Sequence, residues 1–172
     1  MIQEKPRIEA SIKAEVKRLG FALCGISKPK SPEGFSRFSA WLEKGMYGEM
    51  RYLARPDTLA KRENPTLSLE HCKSVICVAL PYPSSELPGN IAAFARVPDY
   101  HEIVREKLAQ LADFIESVLG REPGKYIAVD SSPVLEKSLA VQAGLGLLGK
   151  NTLLMNELYG SWLFLGELFL DI

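Results

Sequence analysis

The chain has 172 residues, 47% hydrophobic and 24% charged, which places it in the ordinary globular range with enough apolar material for one core. Lysine plus arginine (21) balances aspartate plus glutamate (21), so no net field draws the protein to nucleic acid or an anionic membrane, and only a local basic patch stays open. The opening run MIQEKPRIEASIKAEVKRLG lacks the apolar core of a secretory signal, and no segment approaches the roughly 18 apolar residues of a membrane span, so a cytoplasmic protein without a membrane partner is expected, as one domain over residues 1–172.

Ile8, Ile12, Val16 and Leu19 share one stripe of a first helix that Gly20 can close. FALCGIS then reads as a strand. Ser31, Pro32 and Glu33 supply a helix start, and Phe35, Phe38, Trp41 and Leu42 give this second helix an apolar face before Gly45. From Met46 to Glu70 the pattern weakens into a short helix around Met50 and a charged, proline-containing surface stretch, ARPDTLAKRENPTLSLE. Ser74 to Leu80 is a nearly unbroken apolar run and predicts a buried central strand. PYPSSELPGN is a connecting loop, and IAAFA after it is a candidate short strand. The clearest helix runs from Asp99 as N-cap to Gly120 as stop. KYIAV is a strand, Ser132 and Pro133 start a helix through Val141 that Gly144 ends, and Asn151 to Met155 and Trp162 to Leu170 read as strands. Helices alternating with strands predict an α/β sandwich.

Cys24, Cys72 and Cys77 are odd in number and form neither C-x-x-C nor a closely spaced quartet, so they read as small buried apolar side chains and no metal site is expected.

The loop GLGLLGKNT, Gly144 to Thr152, satisfies G-x-G-x-x-G and nearly satisfies the G-x-x-x-x-G-K-(S/T) phosphate loop. Both motifs need a strand before the glycines and a helix after them; here the order is helix then strand, and Asn151 stands where a magnesium-binding hydroxyl would be. Gly146 and Gly149 let a flat ligand approach the backbone closely, or simply make a helix-to-strand turn. Asp130 follows KYIAV directly. A carboxylate there either faces a cleft as a proton donor or organises the turn SSP. Asp99, Tyr100 and His101 form a second polar cluster, which capping and an exposed surface position explain. Arg55, Lys61 and Arg62 read as a solvated charged loop. Only two histidines exist, His71 and His101, and neither a catalytic triad nor a paired-histidine zinc motif is evident.

VDSSPVLEKSLAVQAGLGLLGKNTLLM followed by GSWLFLGELFLDI resembles the segment that in epoxyqueuosine reductases reads VD(S/T)xPxLE(R/K), then AGLGWxGK, then GS(F/W)xFLGE. GEMRYLARPD, RENP and DYHEIVREKLAQLADFI extend the likeness from about Gly45 onward. The resemblance implies a nitroreductase-like α/β sandwich similar to the cobalamin-binding core of reductive dehalogenases. It implies an oxidoreductase in which cobalamin takes electrons from iron-sulfur clusters and reduces the epoxide of epoxyqueuosine in tRNA to give queuosine. By position Asp130 corresponds to the proton donor. Leu154 and Leu165 correspond to cobalamin contacts, Arg55 to a basic cobalamin contact and Arg62 to a looser one.

Departures are Leu147 where the family has tryptophan, Ala92-Ala93-Phe94 where it has Ser-Arg-Tyr, and VPDYH where it has GRDYH. The family continues past the point corresponding to Ile172 into iron-sulfur and helical-repeat parts. The expectation is therefore a cobalamin-binding oxidoreductase module acting on tRNA, with a separate iron-sulfur electron donor because the chain holds no cluster ligands. A corrinoid carrier without turnover, a flavin-binding nitroreductase relative and an interaction role without ligand are the alternatives.

Overall fold

The chain runs through α1 (Glu4–Arg18), β1 (Leu23–Ser27), α2 (Phe35–Glu43), α3 (Pro56–Glu63), β2 (Ser74–Pro81), α4 (Tyr100–Leu119), β3 (Lys125–Ala128), α5 (Glu136–Gln142), β4 (Leu147–Leu148), β5 (Leu154–Met155) and β6 (Leu163–Leu170). Single 3-10 turns occupy Arg51–Ala54, Pro65–Ser68 and Ala93–Arg96. The computed structural model describes residues 4–82 and 90–172. Four strands form one sheet in the order β1-β2-β6-β3, antiparallel throughout, and β4 and β5 pair as a separate hairpin.

The apolar runs of β2 and β6 are nearly continuous because both faces of the sheet are covered. Ile76, Val78, Phe164, Leu168 and Leu170 pack with Val16 of α1 and Leu108, Leu111 and Ile115 of α4. Val75, Cys77, Ala79 and Phe169 turn the other way, onto Leu139 and Ala140 of α5 and onto Leu145 and Leu154. Side chains alternate between faces with period two, so each strand supplies both cores. The expected α/β sandwich and the buried central strand are what the chain forms.

Two glycines permit the close approach of the helices. A Cβ on Gly25 would stand 2.0 Å from the Ala143 carbonyl oxygen at the end of α5, and one on Gly166 would stand 2.6 Å from Val104 Cγ1 of α4. α4 begins and ends as read: Asp99 accepts from the His101 N–H, and Gly120 closes the helix with φ +68°. Cys72 and Cys77 are buried, Cys24 is half-buried, and all three are free thiols.

Several expectations need correction. The helix read from Ser132 starts only at Glu136, because Ser131 N–H donates to Val129 O and Val134 N–H to Ser132 O, two tight turns that consume the intervening residues. The strand read over Asn151 to Met155 shrinks to Leu154–Met155. Gly149 N–H donates to Leu153 O and Leu153 N–H to Asn151 Oδ1, which commits the residues between to a hairpin turn. IAAFA gives a 3-10 turn, not a strand. The stretch read as wholly superficial contains α3, whose Arg62 is buried. The loop PYPSSELPGN lies mostly outside the described residues. Among the described residues no helix is long and apolar enough to cross a membrane.

Candidate functional site

An open cleft of about 1210 Å³ lies between the α2–α3 region, the turn from Asp130 to Leu135, and the β4–β5 hairpin. It is larger than the roughly 300–1,000 Å³ usual for small-molecule sites. Phe38, Trp41, Tyr52, Pro133, Val134 and Leu148 give it apolar walls. Arg37, Arg55, Arg62, Lys137 and Lys150 line it against only two carboxyl groups, Asp130 and Glu136, so a chain of zero net charge presents a locally basic cleft.

Asp130 sits just beyond the C-terminal end of β3 with φ +52°, a left-handed conformation that few non-glycine residues adopt. Two contacts hold it. Its backbone N–H donates to Glu136 Oε1, and its Oδ2 stands 3.2 Å from His101 Nε2. The other ring nitrogen of His101, Nδ1, is 2.7 Å from Asp99 Oδ1, so the helix cap also orients the imidazole. Hydrogen bonds from Asp130 and then Asp99 push the His101 pKa above its ordinary value. Behind the imidazole the rings are stacked: His101 on Tyr100 at 4.0 Å, Tyr100 on Phe164 at 4.0 Å, and Phe164 on Tyr82 at 4.4 Å. The stack fixes the ring plane that meets Asp130. Thr152, with φ +63°, is the second non-glycine residue in a left-handed conformation on the cleft wall.

Arg55 and Arg62 differ in kind. Arg55 is exposed and pairs with Asp57 at 2.9 Å, and the Thr58 hydroxyl holds its turn by donating to the Arg55 and Tyr52 carbonyls. Arg62 is 7% exposed, lies 5.6 Å over the Phe38 ring, and its Nη1 has no hydrogen-bond partner. A buried, unsatisfied guanidinium in a cleft wall suits an anionic or carbonyl-bearing ligand group. The solvated-loop reading thus fails for Arg62.

Of the residues singled out from sequence, Asp130, Arg55, Arg62 and Gly149 line the cleft together. Leu154 is buried in the α5 core, Leu165 packs partly buried against the same core, and Gly146 is pressed against the hairpin, where a Cβ would meet Met155 O at 2.2 Å. The sequence reading missed Glu136 and Glu167. Burial pushes the Glu136 carboxyl up to about 7, and Glu167, wholly buried on β6, is pushed far above the carboxylate range by the same cause, with Glu136 as its charged neighbour. The signal for Glu167 was present, since it is the sole charge in the apolar run WLFLGELFL. His101 lies partly exposed at the surface as expected, and the fold brings it across 29 positions to Asp130, a contact that the sequence reading missed.

Residues 62–131 match the family model described as epoxyqueuosine reductase QueG, DUF1730. The chain is 40% identical over 166 residues to the epoxyqueuosine reductase of Cellulophaga algicola, covering 94% of this chain and 53% of that protein. To the Pseudomonas aeruginosa enzyme it is 39% identical over 181 residues, covering 96% and 48%. The chain therefore spans about half the length of the curated relatives it matches. A crystal structure of epoxyqueuosine reductase bound to a tRNA stem loop carrying the modified base superposes with a TM-score of 0.79 at 26% identity, over 96% of this chain and 46% of that one. A reductive dehalogenase solved in connection with B12-dependent dehalogenation shares the fold, with a TM-score of 0.54 at 15% identity, over 93% and 19%. By sequence and by fold, then, the likeness to epoxyqueuosine reductases extends over nearly all of this chain and about half of theirs.

Proposed function

We propose that this chain is the cobalamin-binding, substrate-facing module of an epoxyqueuosine reductase, acting on tRNA in the cytoplasm, with Asp130 as the acid that protonates the departing epoxide oxygen. The observation that carries the reading is Asp130 itself, held in a left-handed turn at the rim of a large basic cleft and fixed from both its amide and its carboxyl ends. Reduction of an epoxide to an alkene consumes two electrons and two protons and releases the oxygen as water.

The cleft fits a corrinoid in its volume, its apolar walls and the unsatisfied Arg62 guanidinium that an amide carbonyl or phosphate would satisfy. When bound, cobalamin would supply the electrons at the reacting carbon. Arg55 and Arg62 would hold its polar periphery, and Gly149 and the β4–β5 hairpin would lie against its face, with Gly146, Leu154 and Leu165 shaping that hairpin and its base. The electrons come from an iron-sulfur protein or segment beyond these 172 residues.

Asp130 and His101 keep a proton at the cleft edge. With its pKa raised by the hydrogen bonds from Asp130 and Asp99, the imidazole stays protonated to higher pH and holds a proton within 3.2 Å of Asp130 Oδ2. The cationic side chains along the cleft draw the phosphodiester backbone of a tRNA loop toward Asp130.

The test is reconstitution of the chain with cobalamin and a strong chemical reductant, followed by assay of an epoxyqueuosine-bearing tRNA stem loop for queuosine. Turnover that disappears in Asp130→Asn while cobalamin binding persists is the expected result. Equal turnover in the variant removes Asp130 from the reaction, and binding with no turnover in either protein would mark a carrier.

A further inference from the structure

The α2–α3 side of the cleft gathers cations apart from Asp130. Arg37, Phe38 and Trp41 come from α2, Tyr52 from the 3-10 turn Arg51–Ala54, and Arg55 and Arg62 from the N-cap and the last turn of α3. Both carboxyl groups that line the cleft, Asp130 and Glu136, belong to the turn after β3 and to α5, so none lines this side. Arg55 is matched by Asp57. Arg62 has no such match: it is 7% exposed, forms no ion pair among the described residues, and its Nη1 donates to nothing. Its guanidinium lies over the Phe38 ring, on which Trp41 stacks at 6.1 Å, so an aromatic floor fixes the cation in the cleft wall. Arg37, next to Phe38 on α2, is exposed and also forms no ion pair among the described residues.

We propose that this wall of the cleft is a phosphate subsite that takes a phosphodiester group, with Arg62 as its fixed cation and Arg37 as its second, exposed one. A buried cation lacks two things here, a counter-charge and a hydrogen-bond acceptor, and one anionic oxygen supplies both. An amide carbonyl would supply only the acceptor. A tetrahedral phosphate directs its oxygens apart, so arginines from two different helices can engage different ones, and the planar guanidinium fork suits phosphate better than an ammonium would. The Tyr52 hydroxyl, near enough to act on the charge of Arg62, adds a neutral donor. Burial pulls the Arg62 pKa below its ordinary value, the direction expected of a cation with no counter-charge. Two molecules that the proposed function brings to this cleft carry a phosphodiester: cobalamin in its nucleotide loop and tRNA in its backbone. The subsite rests on that function only for which of the two fills it.

Titration of the full chain with inorganic phosphate, against sodium chloride at equal ionic strength, tests the subsite without cofactor or tRNA. The NMR signal of the Arg62 guanidinium should move saturably in phosphate and stay in place in chloride. Arg62→Met should lower the phosphate affinity, read on the backbone amides of α2, by about tenfold or more, and Arg62→Lys should keep part of it. Two further titrations identify the source. Cobalamin binding about tenfold tighter than cobinamide, which lacks the phosphodiester, with the difference lost in Arg62→Met, assigns the subsite to the corrinoid. Equal affinities for the two corrinoids, with binding of an unmodified RNA stem loop weakened by Arg62→Met, assign it to the RNA backbone. An Arg62 signal unmoved by phosphate would overturn the subsite, as would phosphate affinity unchanged in Arg62→Met. Should that variant fail to fold, Arg62→Lys and the wild-type guanidinium signal decide. Phosphate binding at Arg62 without any corrinoid binding would keep the subsite and count only against the proposed function.

Discussion

Replacing Asp130 by glycine and, separately, by alanine isolates the backbone strain at the site from its chemistry. Both variants lose the carboxyl group and its contact with His101, and both keep the N–H that donates to Glu136, so the remaining difference is the φ of +52°. A left-handed conformation costs an L-residue roughly 1–2 kcal/mol, and the greater freedom of glycine in the unfolded chain returns roughly 0.5–1 kcal/mol of that difference. Asp130→Gly should therefore be more stable than Asp130→Ala by about 1 kcal/mol, or about 3 °C in Tm for a chain of this length. Urea unfolding at fixed pH, with matched m-values, measures it. An alanine variant as stable as the glycine variant would show that the turn relaxes once the carboxylate is gone, and that the strain is not built into the backbone between β3 and α5.

Titration of His101 by NMR should give a pKa above 6.5 that falls toward it in Asp130→Asn. Since the folded value is the higher one, the stabilisation from this contact is fully present below the unfolded pKa and is lost as pH rises through the folded pKa. A pKa unmoved by Asp130→Asn would mean that Asp99 alone holds the ring. Gly25→Ala should cost about 2 kcal/mol or more by forcing α5 off the sheet, since its Cβ meets backbone, not a flexible side-chain end; wild-type stability on urea unfolding would contradict the packing described. Arg62→Met should leave stability unchanged or raise it by about 1 kcal/mol, because it removes a buried unsatisfied charge, while weakening cobalamin binding about tenfold or more. A large stability loss with unchanged binding would make Arg62 a structural residue.

Local patterns in the sequence carried the elements that local physics decides. The stripe through α4 with Asp99 and Gly120 at its ends, and the apolar run of β2, appear in the structure within a residue of their expected bounds. What spacing could not show was tertiary competition for backbone groups. Ser132 and Pro133 look like a helix start, yet the chain spends them in tight turns that aim Asp130 and leave Glu136 free to take its amide. The His101–Asp130 contact joins two clusters that look independent when read along the chain, and no periodicity links them. Arg62 looked solvated because a charged helix was read as a loop, which hid its stacking on Phe38. Asp130 itself was ambiguous from its neighbours alone and was singled out by the longer motif around it.

Anaerobic titration of the purified chain with cob(II)alamin, followed by absorbance and electron paramagnetic resonance, asks whether the cleft takes a corrinoid. Saturable binding with a base-off cobalt signal, weakened by Arg62→Met and indifferent to Asp130→Asn, is the predicted result. No spectral change at saturating cobalamin would contradict the assignment of the cleft to a corrinoid in this chain.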